Sequence, residues 1–419
     1  MDKIIYIACW AALLIAPPTF AGPSVDGRLT TSLYAYESQL TDTTTTTYTR
    51  AYQSVRLNVG QLATKQLSFH TYFQGTSDLS ETADSDPRLR LYNAYFAYKK
   101  RGYQLRFGRQ RIYAGTGYGS IDGARARIRY SEVELLLYAG ALAPADRSGE
   151  LGSWDEGKLW GARLSSKRLL KTDIALSFSQ RESTPAAYTG SISGNTTTPS
   201  AIERTLVGFD ARRAFAGGHT LYARLDYDIN DKNLRRTQLS GRYAISPNLS
   251  TQLEWYKRAP SIYHNSIFSV FPNEDYQEFS GRLHYRASEQ LQLTASYAHV
   301  LYDGDSAQRI GIVAAIGTRY SIGYYRTSGY ARASDGLVGN VYWALNAKWT
   351  LRGELDLASY ERYEGADRDE LFTSGFGLHY RPTRRLSTEL GVQGLKNPLY
   401  DSDMRLFLRG SWRFFKGSK

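Results

Sequence analysis

Trp349-Thr350-Leu351-Arg352-Gly353-Glu354-Leu355-Asp356-Leu357 sends Trp349, Leu351, Leu355 and Leu357 to one side and Arg352, Glu354 and Asp356 to the other. Successive strand side chains point to opposite faces, so this stretch predicts a strand with one apolar and one charged face. The same alternation runs through Leu221–Tyr227, where Arg224 and Asp226 share the polar side. It recurs in Leu249–Trp255 with Gln252 and Glu254, and in Leu291–Tyr297. A soluble sandwich would turn its apolar row into a dry core. A membrane barrel would turn it to lipid and keep the charged row in its lumen.

The rest of the chain decides for the barrel. Strand-like stretches recur from about Asp26 to Phe414 with no helical segment or domain break between them. Long polar links near Leu40–Thr47, Ser77–Asp86, Ala143–Asp155, Arg181–Ser200, Pro260–Asn273, Arg326–Ser334, Tyr360–Asp367 and Lys396–Asp401 mostly alternate with tight turns. Lys100-Arg101-Gly102, Ser246-Pro247-Asn248 and Pro382-Thr383 are examples of those turns. Such a rhythm is expected when one set of links faces outward and the other the periplasm. Asn230-Asp231 and Asp303-Gly304-Asp305 are short links on the long side. The count is all-β: an antiparallel up-and-down transmembrane barrel of about 22 strands, within a range of 18 to 22. The last stretch alternates Met404, Leu406, Leu408, Trp412 and Phe414 against Arg405, Arg409 and Arg413, like the C-terminal assembly signature of outer-membrane barrels. It departs from that signature in carrying Lys416-Gly417-Ser418-Lys419 after the final aromatic.

Residues 1–21 carry Lys3, an apolar run from Ile4 to Ile15 and a small-x-small site at Thr19-Phe20-Ala21, which predicts a cleaved secretory signal. The expected organisation is a signal peptide, 1–21, and one barrel domain, 22–419. The only cysteine, Cys9, falls in the leader, leaving no disulfide or thiolate in the exported chain. Mean hydropathy is -0.44, and the one long apolar run is the leader, which excludes a helical membrane protein. Tyr reaches 33 residues, more than a soluble core needs but suited to an interfacial belt. The net charge of +12 comes from scattered arginines without a concentrated basic run. That distribution fits a wetted lumen and excludes a nucleic-acid footprint.

Leu105-Arg106-Phe107-Gly108-Arg109-Gln110-Arg111, a turn through Gly115, Gly117 and Gly119, and then Asp122-Gly123 form a compact hairpin. This hairpin, over about Tyr103 to Tyr130, resembles the "GRQ…DG" hairpin of porin-like families, including the alginate-export type of outer-membrane channel. The resemblance implies a pore for anionic or small polar solutes, with Arg109, Gln110 and Asp122 as lumen or constriction residues. Read from the residues alone, Arg109 and Asp122 equally fit a cross-strand pair that fixes register without touching solute. By phase alone Arg56, Arg224, Arg352, Glu354, Asp356, Arg405 and Arg409 are candidates for the pore lining.

Catalysis finds no foothold. His70, His219, His264, His284, His299 and His379 form no His-x-Ser, His-Glu-x-x-His or paired arrangement. His284 and His379, beside Tyr285 and Tyr380, are expected in the interfacial belt. Gly117-Tyr118-Gly119 and Gly217-Gly218 precede no helix that could complete a phosphate cradle. No metal cluster and no cofactor is expected.

The expected function is a porin in the outer membrane of a Gram-negative bacterium, in contact with its lipid and passing small polar or anionic solutes. Porins of 16–18 strands leave an aqueous channel, whereas 22-stranded barrels are plugged. At 22 strands an infolded loop, best sought at Arg181–Ser200, or a separate protein would fill the lumen; otherwise the count is nearer 18. A separate protein makes the alternative function a barrel sheath around a multihaem cytochrome in an electron conduit.

Overall fold

The computed structural model describes residues 23–41, 44–80, 88–184, 188–189, 196–197, 201–260, 275–302, 304–330, 332–363, 365–398 and 400–417. Among them 22 antiparallel strands form one sheet. Each pairs with the next along the chain, and the first strand, Ser24–Thr41, pairs with the last, Tyr400–Lys416. Their register runs from Val25 opposite Lys416 to Ala35 opposite Leu406, so the sheet closes and has no free edge. Strand lengths of 9 to 18 residues suffice to cross a hydrocarbon layer at a tilt. Alternation therefore counted the strands correctly. The expected leader, 1–21, lies outside the described residues.

Tight turns such as Arg101-Gly102, Pro247-Asn248 and Arg381–Arg385 gather at one end, together with Ser24, where the first strand starts, and Lys416, where the last one stops. The strand ends joined by the longer links gather at the other. We refer to these as the turn end and the loop end.

The packing is inside out. Leu253 is 63% exposed on the outer face, and Ile312, Ile322 and Phe376 are each 55% exposed. Their neighbours Gln252 and Glu254 point the opposite way, into the lumen. A continuous apolar exterior of this kind is a surface for lipid, because water would not tolerate it on a monomer. Near the turn end the outer face carries Tyr243, Tyr285, Tyr320 and Trp343. Trp349 stacks on its cross-strand partner Tyr380 at 4.1 Å. These aromatics form the expected belt, but strict alternation corrects the placement of the histidines. With Tyr285 and Tyr380 facing out, His284 and His379 face the lumen, where the His284 ring meets Thr294 Oγ1 at 3.1 Å.

Candidate functional site: the lumen and its inward hairpin

At the turn end the strands Tyr103–Ala114 and Gly117–Tyr130 are ordinary wall, with Leu105, Phe107 and Ile128 on the outer face. Pairing with the preceding strand, Leu89–Lys100, stops at Ala94 opposite Arg109, although both strands run on. Beyond that point the hairpin leaves the wall and folds into the lumen. The fold line is a row of glycines, with Gly108 opposite Gly123 and Gly123 opposite Gly140. Gly108 has φ +116, and a Cβ there would sit 2.3 Å from the Ala94 carbonyl oxygen. A Cβ on Gly123 would sit 2.2 Å from the carbonyl oxygen of Ala139. Only a residue without a side chain lets three backbones approach this closely.

A buried ion pair holds the bend. Arg109 Nε donates to Asp122 Oδ1 and Nη2 to Oδ2, both at 2.8 Å. The remaining guanidinium protons go to backbone carbonyls of the link 143–156, at Ser148 (2.5 Å) and Glu150, and more distantly to Leu91. The Gly152 N–H returns a bond to Asp122 Oδ2 at 2.8 Å. The link thus fills the position the hairpin vacated, and the Leu91 N–H donates to the Arg147 carbonyl where the next strand would have been. Side-chain exposure is 2% for Arg109 and 8% for Asp122. Gln110, also buried, donates to the Gly123 carbonyl at 3.2 Å.

Arg109, Gln110 and Asp122, expected as lumen or constriction residues, belong to the hairpin that narrows the lumen, but their side chains do not line the open pore. All three are closed off from water. Arg109 and Asp122 are the direct cross-strand pair, and their work is to hold the hairpin.

The underside of the hairpin packs on the inner wall. Ile112, Ala114 and Ile121 meet Leu136, Tyr138 and Leu159 in a buried apolar cluster, with Leu142 at its margin. The tip is held by polar contacts. The Thr116 N–H donates to Ser177 Oγ at 3.2 Å, and Ser179 Oγ donates to Thr116 Oγ1 at 3.0 Å. Arg224 Nη2 donates to the Gly115 carbonyl at 3.0 Å while pairing with Asp226 at 2.9 Å. Arg163 reaches Asp210 at 2.7 Å, and Tyr222 donates to the same carboxylate at 3.2 Å. The opposite face of the hairpin presents Tyr113 and Tyr118, both exposed, with the Arg111 guanidinium over the two rings at 4.7 and 5.2 Å.

The other candidate residues lie on the lumen wall. Arg56 stacks over Tyr72 at 5.3 Å. Arg352 pairs with Glu389 at 3.0 Å across an intervening strand that has Gly377 opposite Arg352 and Gly375 opposite Glu354 on its lumen face. Glu354 accepts from Gln393 at 3.1 Å across the same gap. Arg405 pairs with Asp403 at 2.9 Å, and Arg409 approaches Glu389 at 4.0 Å. Asp356 is exposed on the same face. Arg224 is the one lumen candidate that also touches the hairpin. Sequence reasoning missed the residues that build the constriction: Arg163, Ser177, Ser179 and Asp210 on the wall, and Arg111, Tyr113 and Tyr118 on the hairpin. It placed the infolding at Arg181–Ser200. Most of that segment lies outside the described residues; Arg181–Ser183 ends the wall strand Thr172–Ser183, and Tyr188–Thr189 pairs with Thr196–Thr197.

No protein-family model matches the sequence, and no curated protein matches it. Solved structures do. A mutant of the ferric enterobactin receptor from Pseudomonas aeruginosa is 11% identical with a TM-score of 0.61, covering 94% of this chain and 81% of that one. The siderophore receptor PirA from the same organism is 13% identical with a TM-score of 0.60, covering 93% and 80%. OccAB4 from Acinetobacter baumannii covers 96% and 100% at 10% identity, with a TM-score of 0.47. For the two receptors, at these identities, the likeness is one of fold alone: a large closed barrel. The resemblance to the alginate-export type rests on the hairpin residues alone.

Proposed function

We propose that this chain is an outer-membrane channel of a Gram-negative bacterium, exported by its leader and passing small polar or anionic solutes. Its loop end faces outside and its turn end the periplasm, as short turns and long loops are divided in such barrels. The observation that carries the reading is the hairpin. It is hinged on glycines, clamped by Arg109 and Asp122, and narrows one sector of a polar lumen while the remaining wall stays wet. Arginines outnumber carboxylates around that wall, which favours anions by long-range attraction. Most lumen charges are partly paired, as with Arg352 and Glu389, so the preference is modest. The lumen groups select and steer, and no reaction is assigned to them. A sheath around a cytochrome gains no support from a lumen that the hairpin already partly fills.

The test is single-channel recording of the refolded protein in a planar bilayer, with the reversal potential measured across a salt gradient. A stable conductance with a reversal potential on the anion side is expected. A silent barrel, or a cation-selective one, refutes the reading.

A further inference from the structure

At the turn end the lumen wall holds a recess of about 220 Å³ lined by Arg28, Arg381, Arg384, Arg385, Arg413 and His379. Arg28 and Arg413 are direct cross-strand partners near the junction of the first and last strands. Arg381, Arg384 and Arg385 come from the adjacent tight turn. Cross-strand like charges are unfavourable, so juxtaposing arginines in this way needs a reason.

The contrast with the rest of the lumen supplies one. Arg163, Arg224, Arg352 and Arg405 each have a carboxylate within 3.0 Å. Among the described residues none of the five arginines of the recess forms an ion pair. The neighbouring lumen carboxylate, Glu389, is taken by Arg352 and Arg409. Asp26, two residues from Arg28 on the same face, pairs with none of them. Five guanidinium groups without a counter-charge form an incomplete electrostatic unit, and a guanidinium's planar fork matches phosphate oxygens two at a time.

We propose that this recess binds a multiply charged oxyanion of the phosphate type, free or as a phosphate ester, at the periplasmic mouth of the lumen. The recess lies on the inner wall, since Leu29 and Trp412, the alternation neighbours of Arg28 and Arg413, face out. The occupant therefore arrives as a lumenal solute and not as a lipid headgroup. The inference deepens the channel reading by naming a solute class, but binding itself does not require conduction.

The experiment is a ³¹P NMR titration of inorganic pyrophosphate into the folded barrel in detergent. It compares the parent with R384Q/R385Q, and with R352Q as a control elsewhere in the lumen. Saturable binding that weakens at least tenfold in R384Q/R385Q and stays unchanged in R352Q is expected. Absence of binding, or equal binding in all three, overturns the proposal. Phosphorus analysis of the organic extract separates the lipid source. Phospholipid lost from R384Q/R385Q with pyrophosphate binding unchanged assigns the recess to a headgroup and overturns the proposal. Should the double variant fail to fold, as judged by heat-modifiable gel migration, R413Q carries the same expectation. A barrel that binds pyrophosphate but conducts nothing refutes the channel reading and leaves this one standing.

Discussion

Replacing Arg109 by alanine removes both bonds to Asp122 and the bonds to the carbonyls of Ser148 and Glu150. It leaves the carboxylate of Asp122 enclosed with only the Gly152 N–H. Breaking a buried pair by deleting one partner costs about 3–5 kcal/mol, because the remaining charge stays desolvated. The barrel ladder does not depend on this pair, so the cost falls on docking of the hairpin. At about 1.4 kcal/mol per tenfold, the ratio of docked to undocked hairpin drops by roughly 10² to 10³ or more. The readout is chemical. Cys9 is the only cysteine, so in a Cys9→Ser background Thr116→Cys reports alone. In the parent that position is covered by Ser177 and Ser179. With R109A, labelling by an impermeant maleimide should accelerate by about 10²-fold or more, and single-channel conductance should rise and become noisier. Labelling and conductance both indistinguishable from the parent would show that the clamp does not hold the hairpin, and the reasoning would fail.

Three further outcomes follow from the same geometry. Gly123→Val forces a side chain onto the Ala139 carbonyl and should cost about 1–3 kcal/mol of overpacking, opening the hairpin as R109A does when scored by the same labelling. Arg352→Gln breaks a pair whose members are 52% and 25% exposed, so it should change stability by less than about 1 kcal/mol while shifting the reversal potential toward cations. Leu253→Arg puts a charge in the lipid belt and should cost about 2–4 kcal/mol in urea-driven refolding into vesicles, whereas Gln252→Arg, one residue away on the lumen face, should be tolerated.

The barrel was legible because its alternation has a period of two and repeats in every strand, so local pattern and global closure coincide. The inward hairpin was not read, though the signal was present. Past Gly108 the phase that carries Leu105 and Phe107 toward lipid carries Arg109 and Arg111, while the lumen phase carries Ile112 and Ile121. Charges on the lipid phase with apolar residues on the lumen phase mean that the strands have left the wall. The wall partners of the tip could not be found from the chain, since Thr116 meets Ser177 and Gly115 meets Arg224, 61 and 109 positions away. Likewise the arginine recess joins Arg28 to Arg413 through barrel closure, a pairing that no local window contains. The resemblance of the hairpin picked out Arg109, Gln110 and Asp122, but burial gives them a mechanical role in place of solute contact.

The row of small residues across Gly108, Gly123 and Gly140 has a consequence for the order of events when the protein is built. The seat of the tip is made of strands synthesised well after the hairpin, and the clamp needs carbonyls at Ser148 and Glu150 that also come later. Until those segments are in place the flap has nothing to close on. Docking of the flap therefore needs the chain only as far as Asp226, and does not wait on the pairing of the first strand with the last that closes the ring.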